Sequence, residues 1–132
     1  MERYNAAWNA HDLDAIGELH TADVVFENHT ASERAEGEAD VRRHIGAILD
    51  AWPDLTFETR RYHDGPDHAV CEWTATATHT RPVSRAGAVA QPTGRRITWR
   101  GVDVFTIRDG GIARKDVYSD SVAILRAVGL IE

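Results

Sequence analysis

Several residue types and motifs are scarce in this sequence, and each scarcity excludes a class of protein. The one cysteine, Cys71, cannot form a disulfide within the chain and favours a cytoplasmic location. No apolar run approaches the roughly 18 residues of a membrane span. No cationic leader precedes an apolar segment, so neither a span nor a secretory signal is expected. The net charge of -6 argues against a nucleic-acid partner.

Sequence motifs for metal, nucleotide and serine-hydrolase chemistry are also missing. The seven histidines are scattered, without the H-E-x-x-H or C-x-x-C spacing of metal ligands, so no metal site is predicted. No G-x-G-x-x-G phosphate loop occurs, and no G-x-S-x-G could place a serine on a strand-to-helix elbow. The 132 residues, 42% hydrophobic and 27% charged, are typical of one globular domain over 1–132.

Hydrophobic periodicity predicts helices first and strands afterwards. The segment 2–20 is helical in pattern, with an interruption at His11 and with Asp12 as the cap of a second short helix. Pro53 ends a later amphipathic helix. The remaining predicted elements are strands at 22–30, 55–63, 68–80, 96–108 and 112–119, a helix at 38–52, a long loop at 80–94 and a closing helix within 119–129. This order predicts an α+β fold with helices on one face of a mostly antiparallel sheet.

A carboxylate interrupts the β-forming run at 99–107. Side chains alternate along a strand, so Asp103 shares a face with Trp99, Gly101, Phe105 and Ile107. A carboxylate on an apolar face is costly unless it is paired, hydrogen-bonded or shifted in protonation, and such groups recur in active sites. We therefore predict that Asp103 is a site residue. The alternatives are a bulge that turns it outward or a buried partner such as an arginine.

Asp116 is a second candidate, and the turn "RDGG" decides its direction. A two-residue turn at Asp109 and Gly110 would place Asp116 opposite Asp103, so that the two carboxyl groups could share a proton. A bulge at Gly111 would shift the register by one residue, and Val117 would then face the pocket. The sequence leaves both registers open.

The strand within 68–80 predicts one wall of a pocket. Trp73, Ala75, Ala77 and His79 share a face, and the small alanines beside Trp73 leave room for a ligand. His79 adjoins the long loop and is either an alternative base at the mouth or a partly exposed histidine at a strand end. The aromatic side chains that could contact a flat ligand, or else pack in the core, are Trp8, Trp73, Trp99 and Phe105. The predicted partner is a small hydrophobic or aromatic molecule.

Several strings resemble the SnoaL-like polyketide cyclases, within the nuclear transport factor 2-like superfamily. They are "NAHDLDAIGELHTADVVF", "WPDLTF", "EWTATATHT", "PTGRRITWRGVDVFTIRDGGI" and "YSDSVAILRAVGL", and they cover nearly the whole chain. The resemblance implies a cone of curved sheet wrapped by helices and open at one end, a homodimer formed through the sheet, and an aspartate that acts as general acid and base in an aldol closure without metal or cofactor.

Comparison with the ketosteroid isomerases of this superfamily adds residue-level expectations. Their tyrosine, carboxylate base and later carboxylic acid fall on Tyr4, Asn28 and Asp103. Tyr4 and a neutral Asp103 could donate hydrogen bonds to an enolate. Asn28 cannot take a proton, but it could orient a carbonyl or a water. Asp103 is then the first choice for the base. His29 points away from Asn28 by alternation and is interpreted as structural.

Two other functions stay open at this stage. The superfamily's epoxide hydrolases use an arginine between two carboxylates, and the position two before Asp103 is Gly101 instead. The other alternative is a non-catalytic module that binds a small ligand or dimerises. In that case Asp103 would be paired and unreactive, and its substitution would cost stability without changing any turnover.

Overall fold

Four helices and eight strands make up the computed structural model, which describes residues 1–132. The helices are α1 (Glu2–Asn9), α2 (Leu13–Glu18), α3 (Glu38–Ala51) and α4 (Ser121–Ala127). The strands are β1 (His20–Asn28), β2 (Glu33–Glu36), β3 (Thr56–Asp64), β4 (His68–Thr78), β5 (Val83–Arg85), β6 (Ala88–Ala90), β7 (Arg96–Arg108) and β8 (Gly111–Ser119). None of the helices combines the length and the apolar composition needed to cross a lipid bilayer.

Six strands form one curved sheet in the order β2-β1-β8-β7-β4-β3. Every neighbouring pair is antiparallel except β1 with β8, which run parallel. The predicted α+β class with a mostly antiparallel sheet is confirmed. The parallel pair consists of the first and the last strand of the chain. Chain connections between consecutive strands of this sheet are hairpins, apart from the crossover through α3.

The helix ends follow the local sequence signals. His11 has a positive φ of 56° and separates α1 from α2, and the Asp12 side chain accepts a hydrogen bond of 3.0 Å from the Ala15 backbone N–H. Asp120 caps α4 in the same way through the Ala123 N–H, also at 3.0 Å. Gly129 follows the end of α4 with φ of 84°. Glycine adopts this left-handed backbone conformation more readily than any other residue. The predicted Asp12 cap and the predicted interruption at His11 are confirmed.

The helices cover one face of the sheet, and the core lies between them. Along β4 the residues Ala69, Cys71, Trp73, Ala75 and Ala77 are buried, and the residues between them are only partly buried. From the helices, the buried residues that pack into the same core are Tyr4, Ala7, Trp8, Ile16, Val41, Ile45 and Leu49. This inner face is the one on which the sequence placed Trp73 and Asp103.

Two features escaped the sequence analysis. The segment at 80–94 is not only a loop, because β5 and β6 form a separate two-stranded hairpin within it. The short strand β2, "ERAE", has no apolar alternation, and it forms by pairing with the edge of β1. Its stabilising interactions are the backbone hydrogen bonds to β1 rather than a burial pattern that a sequence could display.

The β7–β8 hairpin decides which carboxylate faces the core. Asp109 and Gly110 both have positive φ, and Arg108 pairs with Gly111, so the turn has the predicted two residues. One extra residue, Ala113, is then inserted in β8 between Ile112 and Arg114. Beyond this bulge Asp103 pairs with Val117, and Asp116 pairs with Val104 on the outer face. Of the two registers that the sequence left open, the shifted one is therefore observed, with the bulge at Ala113 instead of Gly111 and with Val117 in the cavity wall. The prediction of Asp116 as a catalytic partner of Asp103 is wrong.

Candidate functional site

A cavity of about 440 Å³ lies between the inner face of the sheet and α3, with α4 at its edge. Its buried end contains Asp103 and Lys115, and the residues at Pro82–Ser84 and Glu33 line its exposed end. Aromatic rings form much of the wall, contributed by Trp8, Phe26, Trp52, Phe57, Trp73 and Trp99. A larger and more open groove lies between α2 and α3, but neither Asp103 nor Lys115 lines it. The aromatic cavity with Asp103 and Lys115 at its buried end is therefore the candidate site.

Asp103 lies at the buried end of this cavity and is 8% exposed. Burial raises the pKa of its carboxyl group, and the charge of Lys115 and the nearby Trp73 indole oppose that rise. The Oδ1 atom is buried without a hydrogen-bond partner, whereas Oδ2 lies 3.7 Å from Lys115 Nζ. Oδ1 thus has unused hydrogen-bonding capacity at the wall of the cavity, and the expectation that Asp103 faces an apolar pocket is confirmed.

Lys115 is the residue that sequence reasoning missed. It is the chain's single lysine and is only 5% exposed. Its Nζ lies 4.1 Å from the ring centre of Trp8 and 5.1 Å from those of Tyr4 and Phe26, with Phe105 at 5.8 Å. Rings at this distance attract an ammonium group through their negative faces. An aromatic cage and Asp103 together compensate for the burial of this charge.

Tyr4 lies behind the pair rather than on the main cavity. Its hydroxyl group and His20 Nε2 form a hydrogen bond of 3.0 Å, and burial raises the pKa of the phenol. Burial, with the charge of Lys115, lowers the pKa of His20 to about 4. A second, small cavity of about 20 Å³ adjoins Tyr4, Asp103 and Lys115, a volume that fits about one water molecule. Tyr4 therefore adjoins Asp103 and Lys115 at this small cavity and not at the main one.

Trp73 depends on a glycine opposite it. Gly101 of β7 pairs with Trp73 of β4, and a Cβ atom added at Gly101 would overlap the six-membered ring of the indole. The same indole makes an edge contact with Phe57 at 5.0 Å between ring centres. The missing side chain at Gly101 thus creates the space that Trp73 fills in the cavity wall.

Substitution of Gly101 by alanine is expected to displace the Trp73 ring and to lower the free energy of unfolding by about 1–3 kcal/mol through overpacking. Denaturant titration would measure the loss. Gly17→Ala is the matched control, because a Cβ atom added at Gly17 in α2 would meet no other atom within 4 Å, and alanine there should stabilise by about 0.5–1 kcal/mol. Equal stability of Gly101→Ala and the wild type would contradict this account of the wall.

Asp116 belongs to a polar cluster on the outer face of the sheet. Its Oδ1 lies 2.7 Å from His29 Nε2, and the Arg114 Nε donates to its Oδ2 at 2.9 Å. Burial favours a higher pKa for Asp116, but the hydrogen bonds from Arg114 and His29 outweigh it and lower the pKa. Arg114 also binds Glu27 at 2.6 Å. The oxygen and nitrogen atoms of Glu27, His29 and Asp116 lie within metal-binding reach of one another, but this guanidinium already binds both carboxylates.

Three other residues predicted for the site, Asn28, His79 and Phe105, do not contribute to its buried end. Asn28 lines the cavity, but its Oδ1 accepts hydrogen bonds of 3.1 Å from the Thr30 and Ala31 N–H groups and so stabilises the turn after β1. His79 is 0% exposed and bonds through Nδ1 to Thr93 Oγ1 at 2.9 Å. Phe105 is also 0% exposed and packs edge-on against Tyr4. His79 and Phe105 lie in the core, outside the cavity lining, and His79 is not partly exposed.

Comparison with known proteins identifies the family of this chain. The sequence profile of the SnoaL-like domain matches residues 1–115. The chain belongs to the SnoaL-like domain family. The resemblance seen in the sequence is therefore confirmed, and the match includes both Asp103 and Lys115. A search of functionally curated proteins found no match.

Several solved structures share the fold of this chain. AclR of Streptomyces galilaeus, a candidate hydroxylase, is 27% identical with a TM-score of 0.82, over 99% of this chain and 83% of that chain. IdmH of Streptomyces antibioticus, a candidate polyketide cyclase, is 21% identical with a TM-score of 0.80, over 97% and 94%. TerC, co-crystallised with polyporic acid, is 18% identical with a TM-score of 0.79, over 97% and 94%. The last two likenesses establish the fold alone.

Proposed function

We propose that this SnoaL-like protein is an enzyme that closes a ring in a polyketide-like carbonyl compound by acid and base catalysis at Asp103. The observation that carries the proposal is the Asp103 carboxyl group, which has an unpartnered oxygen at the buried end of an aromatic cavity. A buried carboxyl with a raised pKa is suited to both removing and returning a proton near neutral pH. Ligand binding by neighbours of this fold, such as TerC with polyporic acid, supports a small-molecule site.

The proposed reaction uses one proton and one carboxyl group. The Asp103 carboxylate takes a proton from the carbon next to a carbonyl group, and the electron pair of that C–H bond moves into the enolate. The enolate carbon then attacks a second carbonyl of the same molecule, which forms the new C–C bond and an alkoxide. The protonated Asp103 returns its proton to this alkoxide. No atoms are gained or lost, so substrate and product are isomers.

The aromatic walls favour a flat substrate that folds over the carboxyl group. Phe57 and Trp73 meet edge to face, and Trp52 lies 5.2 Å from Trp99 between ring centres. These side chains would exclude water from the enolate and align the two carbonyl groups. Holding the reacting groups in one conformation is the main source of the rate acceleration in an intramolecular reaction. Asn28 and Tyr4 are not needed as proton carriers in this proposal.

The other functions make different demands on the site. The epoxide alternative relies on paired aspartates, but Asp116 lies on the outer face and the Trp73 ring occupies the space beside Gly101. Hydroxylation is the activity proposed for AclR, and it would add an oxygen atom to the product. A purely binding module would leave every ligand unchanged. Product mass separates hydroxylation and epoxide opening from cyclisation, and chromatographic retention separates a cyclised isomer from an unchanged ligand.

Incubation of the purified protein with linear aromatic poly-β-ketone esters, steroid enones and epoxides, followed by liquid chromatography and mass spectrometry, tests the proposal. A cyclised product with the substrate's mass, or with the mass of one water less after dehydration, is the expected result. A product heavier by one oxygen would favour hydroxylation, and a product heavier by one water would favour epoxide opening. Tight binding of a polyketide compound without any turnover would contradict catalysis.

A further inference from the structure

Several buried hydrogen-bonding atoms around Asp103 and Lys115, Asp103 Oδ1 among them, have no partner within the protein. Trp73 Nε1 and Trp8 Nε1 are buried without hydrogen-bond partners, although both residues line the cavity. An indole N–H can only donate. Lys115 Nζ lies 3.7 Å from Asp103 Oδ2, which is an ion-pair distance but too long for a hydrogen bond. Buried donors without partners are costly, so a ligand with oxygen acceptors would relieve them.

The buried end of the cavity carries one positive and one negative side chain among aromatic rings. Among the buried residues, Lys115 is the one lysine or arginine, and Asp103 is the one acid. Four aromatic rings surround Nζ within about 6 Å and attract its ammonium group. The other ionisable lining residues are Glu33, which is exposed at the opposite end, and His44, which packs against Phe26 at 4.9 Å. No second buried carboxylate competes for the ammonium group.

We propose that the cavity binds its ligand as an oxyanion, with a phenolate or enolate oxygen held between the Lys115 ammonium group and the Trp73 indole N–H. The acidic O–H of the ligand gives its proton to the Asp103 carboxylate. The site then exchanges an internal ion pair for one between the ligand and Lys115, and no net charge is created in the apolar interior. The ligand class is therefore a flat aromatic molecule with an acidic enol or phenol.

The inference rests on the proposed use of this cavity as the substrate site, and it adds a specificity. A neutral ketone or ether could accept a hydrogen bond from Trp73, but it has no proton to give to Asp103 and no charge to pair with Lys115, so the internal ion pair stays in place and the ligand gains less. A carbon acid with a stabilised enolate, such as a β-dicarbonyl compound, satisfies both groups. The enzyme should thus favour substrates whose reacting carbonyl is already easily enolised.

Binding of 7-hydroxycoumarin and of its neutral analogue 7-methoxycoumarin tests the inference without any turnover. The absorption spectrum separates the phenol from the phenolate. At a pH below the pKa of free 7-hydroxycoumarin, the wild-type protein should bind the phenolate form and prefer it to the methyl ether by about tenfold or more. Binding of the neutral phenol, equal affinity for the ether, or no binding at millimolar concentration would overturn the inference.

Two variants assign the effect to the named donors. Lys115→Met should abolish the phenolate spectrum of the bound probe, and Arg114→Met is the matched control because its cation is adjacent in sequence but lies on the outer face. Should Lys115→Met fail to fold, Trp73→Phe keeps an aromatic ring, removes the N–H donor and should weaken phenolate binding several-fold. Phenolate binding that survives in both folded variants would overturn the assignment.

Asp103→Asn distinguishes this inference from the proposed function. The variant keeps Lys115 and Trp73, so it should still bind the phenolate, with the proton released to solvent instead. Phenolate binding in the wild type with no turnover of any β-dicarbonyl compound would leave the inference intact and overturn the proposed function. Turnover without any preference for the phenolate would do the opposite.

Discussion

Asp103→Asn is expected to lower turnover by about 10²–10⁴-fold, the range typical of a lost general acid or base. Asparagine has the same shape as aspartate, but it can neither take nor return the proton. The substituted side chain stays at the buried end of the aromatic cavity, so substrate affinity should change little. Steady-state kinetics on a compound that the wild type cyclises would measure the fall in kcat, and equilibrium binding would measure the affinity.

The matched control for this substitution is Asp116→Asn. The two aspartates lie on β7 and β8, but the bulge at Ala113 places Asp116 on the outer face, where it binds His29 and Arg114. Its loss should leave kcat unchanged and cost at most some stability. Equal losses of turnover in both variants, at matched folding, would mean that the side chain of Asp103 has no special chemical role.

Lys115→Met is expected to move the acid limb of the pH profile of kcat/KM to higher pH. The Lys115 charge opposes the rise that burial imposes on the pKa of Asp103, so removing the charge lets that pKa rise further. The base must be ionised to act, and at a pH below the limb each unit of displacement lowers kcat/KM by about tenfold. The plateau should also fall, because the enolate loses its counterion.

The control for Lys115 is a substitution that keeps the charge. Lys115→Arg should leave the acid limb closer to its wild-type position, provided that the variant folds as judged by circular dichroism. Arg114→Met, which removes a cation from the outer face, should leave the limb in place. An unchanged profile in Lys115→Met would show that Asp103 titrates independently of its neighbour and would contradict the described coupling.

The fold was predictable because its elements follow from local physics. Asp12 and Asp120 cap helices as their positions indicate, and the alternation in β4 predicts which of its side chains are buried. The strand β2 and the β5–β6 hairpin were not predictable, because short paired segments without an apolar face leave no periodic signal. Their pairing depends on neighbouring backbone rather than on their own composition.

The site was only half predictable, and one inserted residue is the reason. Asp103 could be found because a charge on an apolar face violates a local pattern. The sequence left two registers of the β7–β8 hairpin open, and it could not place the bulge at Ala113, since an alanine fits equally well in a regular strand and the turn at Asp109 and Gly110 has two residues. That choice decides whether Asp116 or Val117 faces the cavity, because a slip of one residue turns every side chain to the other face.

Lys115 was missed because its direction depends on the bulge and because its burial depends on residues distant in sequence. Without the bulge it would pair with Val104 and face outward, where lysines are usually found. Its burial becomes plausible only when α1 and β1 bring Trp8, Tyr4 and Phe26 around the ammonium group. Contacts between segments so distant in sequence are a property of the folded chain. The fact that Lys115 is the one lysine among 132 residues is a signal that could have drawn attention to it.

The most direct test of proton removal by Asp103 is hydrogen exchange at carbon. A bound β-dicarbonyl compound that cannot cyclise is followed by NMR in D₂O, and the loss of the signal from the hydrogens between its carbonyl groups is timed. The account predicts exchange well above the rate in buffer for the wild type and for Asp116→Asn, and exchange near the buffer rate for Asp103→Asn. Accelerated exchange that persists in Asp103→Asn would contradict the assignment of Asp103 as the base.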